Sequence, residues 1–199
     1  MPDDQGRLFL YFDTNVLLDI LDKRREASLL LWEHFKSEDW AAMTSPFTVL
    51  EMLDAKQSDR WAEKQQKAGL SFWQIQRRVG DRRKGPHKLN GTELDSVYEE
   101  LYEGMTEIFE LVVFPEMAAG LLTKAEDVCA STNIDPSDSL HLATAIYYSC
   151  DILVTSDTTF IPLARPYIIS ARPEDFFSKA LVDYERQTAS QSEQDNNEE

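Results

Sequence analysis

The stretch that decides the fold is Leu8-Phe9-Leu10-Tyr11-Phe12, then Asp13-Thr14-Asn15, then Val16-Leu17-Leu18-Asp19-Ile20-Leu21. Five apolar residues in a row, three of them aromatic, read as a strand buried on both faces. The polar triplet stops the strand, and the residues after it take up helical spacing. A doubly buried strand that passes at once into a helix is the opening of a parallel sheet with helices on both sides.

Working outward, the same alternation continues. Glu26–Ser37 reads as a helix and Trp40–Thr44 as a short strand. Ser45-Pro46 is a serine cap with proline at the first helical position, so a helix is expected from Pro46, with Phe47, Leu50, Glu51 and Asp54 at spacings of three and four. Ala68, Phe72, Ile75 and Val79 extend helical spacing across Arg60–Val79, and Gly80–Gly91 reads as a loop. Thr92 is expected to cap an amphipathic helix carrying Leu94, Val97, Leu101, Met105 and Ile108. Leu111–Phe114 reads as a strand, Pro115 as the start of a helix to about Ala130, and Asp135-Pro136 as a second cap-plus-proline start. Ile152–Thr155 and Tyr167–Ser170 are the last strands, with a short helical start at Pro173. The fold class expected is α/β, a three-layer α/β/α sandwich around a mostly parallel sheet. One domain over 1–182 carries a basic insertion at about 56–91, and 183–199 is an acidic tail expected to be disordered, most plainly from Thr188.

Composition narrows the function classes. No apolar run approaches the roughly 20 residues that span a bilayer, so no membrane association is expected. The start MPDDQGR is acidic where a signal peptide would be basic, and Cys129 and Cys150 match no zinc spacing. A reducing cytoplasm is the expected compartment. Twenty Lys and Arg against 36 Asp and Glu give a net charge of −16, too acidic for a generic polyanion binder. The charge is uneven, however. From Arg60 to Lys88 nine cations stand against Glu63 and Asp81, a local net of +7 that leaves −23 on the remainder.

Four acids fall at element boundaries. Asp13 and Asp157 each follow a strand, Glu51 lies in the helix after the second strand, and Asp138 is the third helical residue after the Asp135 cap. Each alone has a plain alternative as a cap, turn or surface acid. Together they suggest convergence where strand ends open into a crevice. Two carboxylates 4 Å apart repel by about 4 kcal/mol at an effective dielectric near 20, so a cluster needs a counter-charge. Mg²⁺ or Mn²⁺ supplies it through hard oxygen ligands; protonation is the other relief. If repulsion dominates, Asp13→Asn without metal should melt no lower than the parent.

YFDTNVLLDI, SPFTVLEML and DPSDSLHLATAIYYSCDILVTSDTTF resemble the PIN domain family, especially its toxin-type, VapC-like members. The matching residues are Asp13 with Asn15, Glu51, Asp138 with His141 and Ala145, and Thr155 with Asp157. The resemblance implies an endoribonuclease that hydrolyses RNA with Mg²⁺ or Mn²⁺ and metal-activated water. It implies that Asp13, Glu51, Asp138 and Asp157 are the catalytic, metal-holding acids, and that Asn15 and Thr155 hold carboxylates in place by hydrogen bonds. It further implies a toxin–antitoxin pair, with a cognate antitoxin as partner and a homodimer. The sequence between Glu51 and Thr92 is longer than the toxin-type pattern.

The basic island adds a second expectation. Arg77, Arg78, Arg82, Arg83, Lys84 and Lys88 are candidates for guiding RNA through its phosphates. The interleaved rings of Trp61, Phe72 and Trp73 are expected to pack inward, leaving the charges outside. The alternative to the nuclease is a catalytically weak PIN-like module that binds RNA or protein. Aspartyl-phosphate chemistry is set aside, because Asn15 stands where a second Asp would be needed.

Overall fold

The computed structural model describes residues 7–82 and 89–198. In chain order the elements are β1 (Phe9–Phe12), α1 (Thr14–Leu21), α2 (Glu26–Ser37), β2 (Ala41–Met43), α3 (Thr48–Lys67), α4 (Phe72–Arg82), α5 (Gly91–Gly104), α6 (Thr106–Leu111), β3 (Val112–Val113), α7 (Ala119–Thr132), α8 (Pro136–Tyr147), β4 (Ile152–Val154), α9 (Ile161–Ala164), β5 (Ile169–Ala171) and α10 (Leu181–Glu198). A 3₁₀ turn at Pro173–Asp175 and a π turn at Phe176–Ala180 lead into α10. The residues divide into two compact units, Met1–Pro46 with Ile108–Glu199, and Phe47–Glu107. The sequence had suggested limits for the inserted part nearer 56 and 91.

In the first unit the five strands form one sheet in the order β3-β2-β1-β4-β5, with every neighbouring pair parallel. Alternation along the strands assigns the two faces. Tyr11, Met43 and Leu153 join Leu121, Val128, Leu140 and Leu142 of α7 and α8 in one core cluster. On the other face the Phe12 ring meets Trp32 and Phe35 of α2 edge to face, at centroid separations of 6.3 and 5.5 Å. Helices therefore cover both faces, which is the expected α/β/α class. A sheet without a solvated face explains why β1 reads as an unbroken apolar run.

In the second unit α3, α4 and α5 bury Trp61, Ile75, Leu89 and Val97 together. The single helix expected over Arg60–Val79 is two. Gly69, with φ +88°, takes a left-handed turn that a side chain resists, and α4 starts afresh at Phe72. Asn90, rather than Thr92, caps α5: its side chain accepts from the Glu93 N–H, and Glu93 bonds back to the Asn90 N–H.

The C-terminal segment differs from expectation more. The tail expected to be disordered from 183 is helical through Glu198. Its residues include neither Gly nor Pro, and hydroxyls at Thr188 and Ser190 bond back to carbonyls of the preceding turn. No helix among the described residues is long and apolar enough to cross a membrane.

Candidate active site

The strand order places the site. From β1 the chain turns outward to β2 and β3, then crosses back so that β4 lies on the other side of β1. This reversal is a topological switch point, where parallel sheets open a crevice beyond the strand ends. Phe12 is in register with Val154, and the Asp13 N–H donates to the Val154 carbonyl at 3.0 Å. The residues that follow the two strands, Asp13 and Thr155, are therefore neighbours despite lying 142 positions apart.

Asp13 is buried, and both of its oxygens are occupied. Oδ1 accepts from the Thr14 N–H at 2.7 Å, capping α1. Oδ2 accepts from Asn15 Nδ2 at 2.5 Å and from the Thr155 hydroxyl at 2.5 Å. Asn15 is pinned in turn. Its Oδ1 accepts from the Ser156 N–H at 2.8 Å, which leaves Nδ2 to serve Asp13 and Thr155. One amide thus ties the β1 and β4 ends together.

Asp157 closes the same loop from the other side. Its Oδ1 accepts from the hydroxyl and N–H of Thr159 and from the Phe160 N–H. Those hydrogen bonds, the Thr159 hydroxyl foremost, hold its carboxyl below the usual range in spite of partial burial. It is both a turn residue and an ionised acid.

Asp138 behaves oppositely. It sits half-buried in the first turn of α8, behind the Asp135 cap and Pro136. Burial, followed by the charges of Asp13, Asp157 and Asp135, pushes its carboxyl up to about 6, and His141 works the other way. Three of the four predicted acids, Asp13, Asp138 and Asp157, therefore share one electrostatic field. Glu51 stands half-buried in the first turn of α3, in the other compact unit. Among the described residues, no three of His, Cys, Asp and Glu are gathered as a ready-made cage for a metal ion. The acids feel one another without sharing a coordination centre. Their all-oxygen donor set suits a hard divalent ion, whereas their spacing is not that of a preformed site.

Sequence reasoning missed three groups here. Tyr11 reads as core, yet its hydroxyl lies 2.7 Å from His141 Nδ1, and that nitrogen is 3.6 Å from Asp13 Oδ1. Strand alternation alone would have aimed Tyr11 at the α8 face. Thr159, two residues after an acid that ends a strand, carried an Asx-turn signal. Asp19, one turn beyond Asn15, is buried against the hydroxyls of Ser28 and Ser156 at 3.3 and 3.2 Å and Arg25 Nε at 3.4 Å.

Of the residues expected to guide RNA, Arg77 and Arg78 are exposed on α4, Arg82 ends that helix, and Arg83, Lys84 and Lys88 lie outside the described residues. The ring expectation holds for Trp61, which is buried, and fails for Phe72 and Trp73, which are exposed.

Residues 89–166 match the family model of the PIN domain. The chain is PIN-like. The matched span holds Asp138, Thr155 and Asp157, and Asp13, Asn15 and Glu51 precede it. Among solved structures, the chain is similar to VapBC2 from Rickettsia felis bound to a DNA fragment from its promoter. That match has 12% identity over 83% of this chain and 98% of that one, with a TM-score of 0.52. It is also similar to FitAcB from Neisseria gonorrhoeae, at 19% identity over 82% and 97% of the two chains and a TM-score of 0.49. The first likeness supports the PIN-like fold. No curated protein matches the sequence.

Proposed function

We propose that this PIN-like chain is an Mg²⁺- or Mn²⁺-dependent endoribonuclease. The observation that carries the reading is Asp138, a half-buried carboxyl raised to about 6 by burial and by the charges of Asp13 and Asp157. Ionising Asp138 beside the charges of Asp13 and Asp157, with a histidine as the counterweight, is electrostatically costly, and a cation or protonation relieves it. Asp13, Asp138 and Asp157 would hold that ion, and the motif likeness assigns Glu51 to the same role. A bound divalent ion supplies a water nucleophile near neutral pH and positive charge for the phosphate.

The chain's own groups have definable tasks in that reading. Asn15 and the Thr155 hydroxyl orient Asp13, and Thr159 keeps Asp157 ionised. The similarity to the VapBC2 structure extends the reading to the toxin of a toxin–antitoxin pair, with an antitoxin as partner and a homodimeric assembly. Two unpaired cysteines, Cys129 and Cys150, suit a cytoplasmic setting.

The deciding experiment pairs cleavage with metal binding. Wild type should cut single-stranded RNA only with Mg²⁺ or Mn²⁺ and should gain thermal stability from Mn²⁺; Asp138→Asn should lose both. Equal cleavage by Asp138→Asn, or by wild type in chelator, would discard the proposal. A second reading, a PIN-like module that binds RNA or protein with little catalysis, is supported by Asp13, whose two oxygens already have donors within the chain. It predicts RNA binding with no cleavage in any divalent ion.

A further inference from the structure

We propose that the first two turns of α4 form a platform on which single-stranded RNA stacks its bases while its phosphates meet Arg77 and Arg78. The proposal rests on RNA being the substrate class, and it adds a recognition surface outside the acidic site. Phe72 and Trp73 are 63% and 76% exposed, the most exposed large hydrophobic side chains of the described residues. Their rings meet edge to face, with centroids 5.5 Å apart and planes at 75°.

The helix explains why Trp73 is outside. Ile75 is the α4 residue that joins the buried cluster with Trp61, Leu89 and Val97. Two residues along an α-helix is a rotation of about 200°, so Trp73 and Arg77, on either side of Ile75, both face away from that cluster. Four residues apart, they sit one above the other on the solvent side. An indole beside a guanidinium is a sequence-tolerant pairing for nucleic acid: the ring stacks on any base, and the cation reaches the phosphate.

Charge selects the occupant. Within the basic island, Arg60 and Lys64 of α3 are already answered by Glu100 and Glu93 of α5. Arg77 and Arg78 make no ion pair among the described residues, and Arg82, Arg83, Lys84 and Lys88 follow them in sequence. On a chain of net charge −16, Arg77 and Arg78 are adjacent cations left unanswered among the described residues. A polyanion with exposed aromatic faces matches both features, and single-stranded RNA is that ligand, since a duplex hides its base faces.

The test measures binding of a short unstructured RNA to the full chain with divalent ions chelated, so that affinity is read apart from cleavage. Trp73→Ala should weaken binding about tenfold or more, and Trp73→Phe should retain most of it. Arg77→Ala with Arg78→Ala should reduce the steepness of the salt dependence by about 1.4 in log–log slope, and Trp73→Ala should leave that slope unchanged. An abasic RNA of equal length should bind wild type at least as weakly as intact RNA binds Trp73→Ala, since Phe72 also loses its stacking partner. Trp73 is the exposed one of the tryptophans in the chain, so its quenching on RNA addition is a direct signal that Trp73→Phe removes.

The platform is overturned if Trp73→Ala binds like wild type, or if intact and abasic RNA bind equally. It is also overturned if Trp73→Ala abolishes self-association while RNA affinity is unchanged, which would make the face a protein contact. RNA binding that depends on Trp73 without cleavage in any divalent ion would keep the platform and reject the nuclease. Metal-dependent cleavage with no dependence of RNA binding on Trp73 would do the reverse.

Discussion

The loop at the β1–β4 strand ends and the exposed face of α4 are opposite solutions to placing polar groups. At the strand ends, each hydrogen bond partner is supplied by the chain. Asn15 serves Asp13, Thr155 and Ser156, and Asp157 gathers Thr159 and Phe160. On α4, Trp73 and the two arginines face water with no partner of opposite charge among the described residues. The first arrangement fixes geometry before any ligand arrives. The second fixes only a helix and leaves its side chains to a visitor. The proposals above give the two arrangements different tasks, and that division can be attacked from both sides.

The largest effect should separate them outright. Asp138→Asn should lower metal-dependent RNA cleavage by about a thousandfold or more, measured as kcat/KM on a labelled RNA. Arg77→Ala with Arg78→Ala should cost about tenfold, through KM, by weakening phosphate contact. Comparable losses from both would mean that the arginines reach the reacting phosphate and the comparison fails.

Stability should show the contrast next. Asp13→Asn replaces a carboxylate oxygen with an N–H that faces the Asn15 and Thr155 donors, and should cost about 2 kcal/mol. In a chain of this size the melting temperature should fall by about 4–8 °C without metal. This reverses the expectation from the acid pattern alone, in which charge repulsion made the substitution harmless or stabilising. A differential scan of the apo variant decides between them.

Asp138→Asn should behave in the opposite sense. A carboxyl raised from 3.8 to about 6 on folding contributes stability below pH 4 that is lost as pH rises through 6. At pH 8 wild type therefore carries the cost of an ionised, half-buried Asp138. The Asn variant should be more stable there by about 1 kcal/mol, allowing for solvent screening, with the gain fading toward pH 4. Melting curves across that range give the sign directly. Smallest of all, Arg77→Ala and Arg78→Ala should each move the apo melting temperature by no more than about 1–2 °C. A larger drop would show that α4 is braced through them.

How far the sequence could be read follows the same divide. The run Leu8–Phe12 ending in Asp13 was legible because a doubly covered strand must be apolar throughout and must stop at its polar end. That Asp13 and Asp157 follow neighbouring strands was legible from the strand ends, and Asp138 from the Asp135-Pro136 helix start. What could not be read was helix phase. Taken as one helix, Arg60–Val79 aligns Phe72 with Ala68, Ile75 and Val79 and turns that ring inward. The left-handed turn at Gly69 ends α3 and α4 starts afresh at Phe72, so that both Phe72 and Trp73 are exposed while Ile75 is buried. The tail misled for a different reason. Its lack of apolar residues was read as disorder, yet without Gly or Pro a polar segment continues the helix begun at Leu181. Tyr11 went unrecognised because a hydroxyl inside an aromatic strand gives no sign of its partner, and here the partner is 130 residues away.

The bond from Thr155 to Asp13 has one more consequence, and it concerns time. During synthesis the first acid emerges long before the segment that clamps and completes its surroundings. An unfinished polypeptide that stops short of Thr155 carries Asp13 with neither its hydroxyl clasp nor Asp157. Under the ribonuclease proposal, such an unfinished chain would lack a completed acid site.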